Sequence, residues 1–136
     1  MQNRLALAAA LALLAAGSAH ALNAAEYQAG LAPAASAAEP GFAGFSAQRG
    51  EAFYRSTHGG DWSCATCHTD SPTAGGSHAV TKKVIKPLAP AANPARFTDA
   101  AKIEKWFKRN CNDVVGRVCT PTERGDVVAY LISLKR

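Results

Sequence analysis

Two thiols and an imidazole sit together in Cys64-Ala65-Thr66-Cys67-His68. Thiols spaced this way can each add to one vinyl group of a single porphyrin. The histidine beside the second thiol is then held under the metal, where neutral imidazole is a good ligand. The chemistry needs each of these residue types at this spacing, and the pattern is that of covalent haem c attachment. A structural zinc site needs a second close pair of ligands. Cys111 and Cys119 are too far apart to supply a second C-x-x-C. A thioredoxin-type redox pair needs a βαβ setting, and no alternation of strand and helix patterns surrounds the motif.

The chain has 136 residues, with Arg4 ahead of an apolar run from Leu5 to Ala16. The run has the length of a signal-peptide core and is too short to span a bilayer, which needs about 20 apolar residues. Ala19-His20-Ala21 places small residues at both recognition positions, so residues 1–21 read as a signal peptide cleaved after Ala21, with Ala25 as the alternative position. The mature chain is then exported to the periplasm without a membrane anchor. Disulfides persist there, and the cysteine count closes if Cys64 and Cys67 hold haem while Cys111 and Cys119 pair with each other. The formal charge is +5 and becomes +4 without Arg4. That suits docking to an acidic protein through Lys82, Lys83, Lys86, Lys102, Lys105, Lys108 and Arg109, and is too weak a charge to argue nucleic acid.

His68 fills one axial position, and methionine usually fills the other in an electron-carrying cytochrome c. The only methionine is Met1, which leaves with the signal peptide. Three distal candidates remain. His58 stands just before the motif, on the proximal side of the chain. His78 sits in a loop after Gly75 and Gly76 and is sterically freer; it would give a closed bis-histidine electron carrier. Asn110 follows Ile103, Trp106 and Phe107 at offsets of 7, 4 and 3, which puts its amide on an apolar helical stripe. An amide there is costly unless bonded; a helix-capping role or a bond to a backbone carbonyl would satisfy it equally well.

Helices must position these groups. Residues 22–44 read as an Ala/Pro-rich extension in which Pro33, Pro40 and Gly41 break a short helix begun at Ala24. Ser46 is an N-cap candidate for a helix over 47–55, placing Gly50, Phe53 and Tyr54 on one face. The prolines and glycines from Ser71 to Phe97 argue a long irregular loop, with the haem edge as its natural object. A helix is expected after an N-cap at Thr98. Thr120-Pro121-Thr122-Glu123 combines a capping box with proline at the first helical position, and Val127, Tyr130, Leu131 and Leu134 follow as an apolar stripe. The pattern is all-α over 45–136, the plan of a small monohaem class I-like cytochrome c. Gly50 and Phe53 are expected to cross the last helix near Tyr130 and Leu131, the glycine permitting close backbone approach.

The stretches Asn93-Pro94-Ala95-Arg96-Phe97-Thr98-Asp99, Lys105-Trp106-Phe107-Lys108-Arg109-Asn110-Cys111 and Gly116-Arg117-Val118-Cys119-Thr120 resemble those of the sphaeroides haem proteins, small oxygen-binding cytochromes c. The likeness runs from Phe45 to Leu134. It implies one covalent haem c, Asn110 as distal ligand and a Cys111–Cys119 disulfide. It further implies that the asparagine leaves on reduction, after which oxygen or nitric oxide binds. A dihaem cytochrome c is the implied electron donor, and an oxygen- or nitric oxide-reductase type of turnover would follow if the electron passes to the bound gas.

Overall fold

The computed structural model describes residues 21–135. The expected signal segment, with Arg4, the Leu5–Ala16 run and His20, lies outside the described residues except for Ala21. Five helices and one two-stranded ladder follow: α1 (Ala24–Ala38), α2 (Ala47–Arg55), α3 (Cys64–His68), β1 (Gly76–Ser77), β2 (Val84–Ile85), α4 (Ala100–Val115) and α5 (Pro121–Ser133). Among the described residues no helix is long and apolar enough to cross a membrane.

α5 is the axis of the core. Its start is capped as its sequence predicts: the Thr120 side chain accepts from Glu123 N–H, Glu123 reaches back to the Thr120 N–H, and Pro121 opens the helix. Val127, Val128, Tyr130 and Leu131 are buried, whereas Leu134 caps the helix and is only partly covered. α2 crosses α5 closely because Gly50 has no side chain. A Cβ there would overlap the Asp126 carbonyl. Beside this crossing the buried Asp126 carboxylate accepts from the Ser46 N–H at 2.7 Å and from Arg49 Nε and Nη2 at 2.7 and 2.8 Å. The aromatic partner of Tyr130 is Tyr54, with ring centroids 5.5 Å apart, rather than Phe53. Phe53 instead packs against the His58 ring at 4.3 Å.

The N-terminal segment departs from expectation. Pro33 does not break the helix; it lies inside a 15-residue α1. Asn23 and Glu26 form a capping box, and alanine has the highest helix propensity. The buried positions Ala24, Tyr27, Leu31 and Ala35 form a stripe against α5. Pro33 falls on the exposed side, where loss of one N–H bond is outweighed by burial of that stripe. Residues 22–44 therefore contribute to the same core as α2 and α5.

α4 begins one residue later than expected. Asp99, not Thr98, accepts the Lys102 N–H, and Thr98 donates to the Ala95 carbonyl instead. Gly116 ends α4 in the left-handed region (φ 76°), the usual glycine C-terminus. Unlike α1 and α2, α4 makes no extended close backbone crossing with another helix among the described residues. Side chains and one disulfide hold it. Ile103 enters the core, and Phe107 stacks on Tyr27 at 6.2 Å. The Glu104 carboxylate accepts from the Tyr27 hydroxyl at 2.7 Å and from Arg124 Nη1 at 2.6 Å. Residues 71–97 are mostly irregular, as expected, but carry the β1–β2 ladder, Gly76 opposite Ile85 and Ser77 opposite Val84.

Candidate haem site

α3 is a single turn built to present the motif. Ser63 accepts from the Thr66 N–H, and Thr66 Oγ1 accepts from the Ser63 N–H at 3.0 Å, which fixes where the turn starts. Cys64 and Cys67 are free thiols. Burial pushes the Cys64 thiol up to about 11, so it stays protonated at neutral pH. Burial first, and the Arg96 guanidinium second, push the His68 imidazole down to about 4. It is therefore neutral at pH 7, the state that ligates a metal. Its ring has no hydrogen-bond partner among the described residues. Among those residues no three His, Cys, Asp or Glu side chains converge as a metal site.

Three contacts lock the turn in place. The Tyr54 hydroxyl donates to the Thr69 carbonyl at 2.7 Å, at a residue with φ 64°. Gly76 presses against the end of α3, where a Cβ would overlap the Cys67 carbonyl. The Ala79 N–H lies 3.3 Å from Cys67 Sγ. The long loop thus packs against the motif. It is also stitched to itself: the Pro72 carbonyl accepts from the Leu88 and Ala89 N–H groups, and Arg96 donates to the Lys86 and Pro87 carbonyls at 2.8 and 2.9 Å. Those bonds and the partial burial of Arg96 explain how a 27-residue irregular stretch, 71–97, keeps one shape.

The three distal candidates separate clearly. The His58 ring points back onto α2, with Nε2 3.0 Å from the Phe53 carbonyl; the carbonyl accepts, so Nε2 carries the proton. His78 Nδ1 accepts from the Val80 and Thr81 N–H groups, both at 3.2 Å. A neutral His78 therefore carries its proton on Nε2 as well, the tautomer that cannot ligate through that atom. Asn110 lies well inside α4, half-buried, and its side-chain amide has no hydrogen-bond partner among the described residues. Neither bland role applies: Gly116 ends the helix, and the amide bonds no carbonyl.

The next residue, Cys111, is bonded to Cys119, with Cα atoms 5.7 Å apart. The bridge ties the last turn of α4 to the start of α5. The Arg117 guanidinium braces the same loop through two bonds to the Glu123 carboxylate, at 2.8 and 2.6 Å. Asn110 and the motif stand on separate elements, α4 and α3. They are linked where the chain entering α3 runs beside α4: a Cβ on Gly60 would stand 3.9 Å from the Val114 carbonyl. Trp62 and Trp106 leave 37% and 48% of their surfaces uncovered by protein, apolar area suited to the face of a macrocycle. The donor set, the free thiols and this surface fit a haem c. Tyr54, Gly76 and Arg96 are all named in the sequence, Tyr54 on the expected face of α2, but the contacts each makes with the motif or its loop are not foretold there.

Residues 40–131 match the family described as domain of unknown function DUF1924. Cytochrome c-type protein SHP of Cereibacter sphaeroides is 51% identical over 89 residues, 62% of this chain and 68% of that relative. Cytochrome c'' of Methylophilus methylotrophus is 42% identical over 80 residues, 59% of this chain and 56% of that relative. The structure of oxidised SHP, an oxygen-binding cytochrome c, superposes with a TM-score of 0.74 at 43% identity, covering 85% of this chain and 100% of that one.

Proposed function

The chain belongs to the SHP family of monohaem c-type cytochromes, which carry one covalently attached haem c, and from that premise we propose that it is a periplasmic electron acceptor whose reduced haem binds oxygen or nitric oxide. Haem supplies an iron that takes up one electron and, when ferrous, has affinity for diatomic gases. In this reading Cys64 and Cys67 form the two thioethers, His68 is the permanent axial ligand, and residues 1–21 direct export.

The observation that carries the proposal is the unpartnered amide of Asn110. The Asn110 amide stands on the same face of α4 as Ile103 and Phe107 and bonds no protein group among the described residues, so its carbonyl oxygen is free to serve as the second axial donor. An amide oxygen is a weak donor that suits ferric better than ferrous iron, so Asn110 holds its place in the oxidised state and releases it on reduction. The disulfide at Cys111 keeps the asparagine backbone in position through both states. The bis-histidine alternative is disfavoured by the hydrogen bonds of His58 and His78, each of which ligation through Nε2 would disrupt.

The test is the absorption spectrum of the reduced holoprotein with and without carbon monoxide. A five-coordinate ferrous spectrum that converts promptly to a carbonyl spectrum is expected. A reduced spectrum that is six-coordinate, low-spin and indifferent to carbon monoxide contradicts the proposal.

A further inference from the structure

We propose that the outer face of α4 is the docking surface for an acidic electron-donating protein. The proposal rests on the reading of this chain as a haem protein that accepts an electron. α4 carries Lys102, Lys105, Lys108 and Arg109, all exposed. Lys102 pairs loosely with Asp99 at 3.6 Å, while Lys105, Lys108 and Arg109 have no ion-pair partner among the described residues. Two acids share the helix: Glu104 is already bonded to Tyr27 and Arg124, and Asp113 is exposed one turn beyond Arg109. Elsewhere Arg49, Arg55, Arg117 and Arg124 sit in ion pairs and Lys82 Nζ donates to the Ala79 carbonyl, while Lys83 and Lys86 on the long loop are exposed and also lack an ion-pair partner among the described residues. α4 thus presents three cations, Lys105, Lys108 and Arg109, without an ion-pair partner among the described residues.

The position of that charge links it to the site. At about 100° per residue, the wheel of α4 runs from Asn110 to Trp106, then to Lys102 and Arg109, then to Lys105. Between the inward stripe and the cationic face therefore stand the exposed Asp113 and, nearest the stripe, Trp106. It is half exposed, and the Arg109 guanidinium lies over its ring at 5.6 Å. On the other side of the cations a cleft of about 290 Å³ opens between Lys105, Lys108, Val118 and Cys119. Val118 at its edge is 59% exposed. An aromatic with an arginine over its ring, exposed lysines next to them and an apolar step beyond are components of a protein-binding patch. Carboxylates around a donor's redox centre would complement it, steer the encounter and bring the electron to the Asn110 side of the haem.

The test uses the ferric holoprotein and reduced flavodoxin, a small acidic electron carrier, with photoreduced lumiflavin as an uncharged control. Lys105→Glu/Arg109→Glu should slow reduction by flavodoxin about tenfold or more at low salt and flatten its ionic-strength dependence. The lumiflavin rate should stay within about twofold. Lys82→Glu/Lys83→Glu should leave both rates unchanged. Carbodiimide cross-linking, which needs no electron transfer, should join flavodoxin carboxylates to Lys105 and Lys108. The proposal is overturned if the Lys82/Lys83 variant is the slow one, if the α4 variant slows both reductants equally, or if cross-links fall on Lys82, Lys83 or Lys86 instead. Failure of the underlying haem reading would show separately, as no absorbance change with lumiflavin even in the unsubstituted protein.

Discussion

Replacing the bridged cysteines, Cys111→Ser/Cys119→Ser, tests how the distal side is held. The bridge spans a sequence separation of 8. On the chain-entropy model a loop that short contributes about 2.5 kcal/mol at 25 °C. For a chain of this size that corresponds to a fall in Tm of about 10 °C. The effect should not be uniform. α1, α2 and α5 pack through close crossings and should keep their helicity at room temperature. α4 lacks such a crossing, and without the bridge its last turn is held to α5 only through the Arg117–Glu123 pair and the connecting chain. Asn110, adjacent to the lost bond, should therefore sample positions away from the haem. The assay is thermal unfolding by circular dichroism together with the ferric absorption spectrum. Both a lowered Tm and a new high-spin ferric fraction are expected, with haem fully retained because the thioethers are independent. If Tm falls as calculated and the ferric spectrum does not change, the claim that the bridge positions Asn110 is wrong.

Three further outcomes are expected. Gly50→Ala drives a methyl group into the Asp126 backbone, which cannot swing aside; it should destabilise the fold by about 1–3 kcal/mol or more, read as a lowered urea midpoint, and an unchanged midpoint would contradict the close α2–α5 crossing. Gly76→Ala should act on the motif instead, lowering the yield of haem-attached protein because its Cβ meets the Cys67 carbonyl; normal attachment would show that the loop does not brace α3. The Arg117 guanidinium beside Glu123 holds its carboxyl below the ordinary value of 4.5, so its contribution to stability is complete above that pH and is lost as pH falls below it. Glu123→Gln should therefore flatten the pH dependence of Tm between about pH 5 and pH 3, and an identical pH profile in the variant would refute this role.

What the sequence revealed was mainly local. The haem motif, the Ser46 cap and the Thr120–Pro121–Glu123 start each depend on residues within a turn of one another, and each stands where it was expected. Gly50 was also legible, since a glycine inside a helical stripe calls for a close neighbour. α1 was hidden because Pro33 is a strong local breaker, whereas the stripe of Tyr27, Leu31 and Ala35 gains its value only once α5 is there to cover it. Tyr54 was on the expected face, but its choice over Phe53 as the partner of Tyr130 depends on rotation of α2 about Gly50. Gly76 and Arg96 owe their roles to a loop folding back over 9 or 10 positions, which no period or spacing encodes. The surroundings of His58 and His78 depend on one and two hydrogen bonds to backbone groups, respectively, and those bonds exist only in the folded chain.

The central claim is that Asn110 is the labile axial partner opposite His68. It is tested most directly by comparing Asn110→Ala with His78→Ala in ferric and ferrous absorption and resonance Raman spectra. Asn110→Ala should render the ferric haem five-coordinate or water-ligated while leaving the ferrous spectrum and its carbon monoxide complex nearly unchanged, and His78→Ala should alter neither state. A haem that opens in His78→Ala and stays six-coordinate in Asn110→Ala would contradict the account and make the protein a bis-histidine electron carrier.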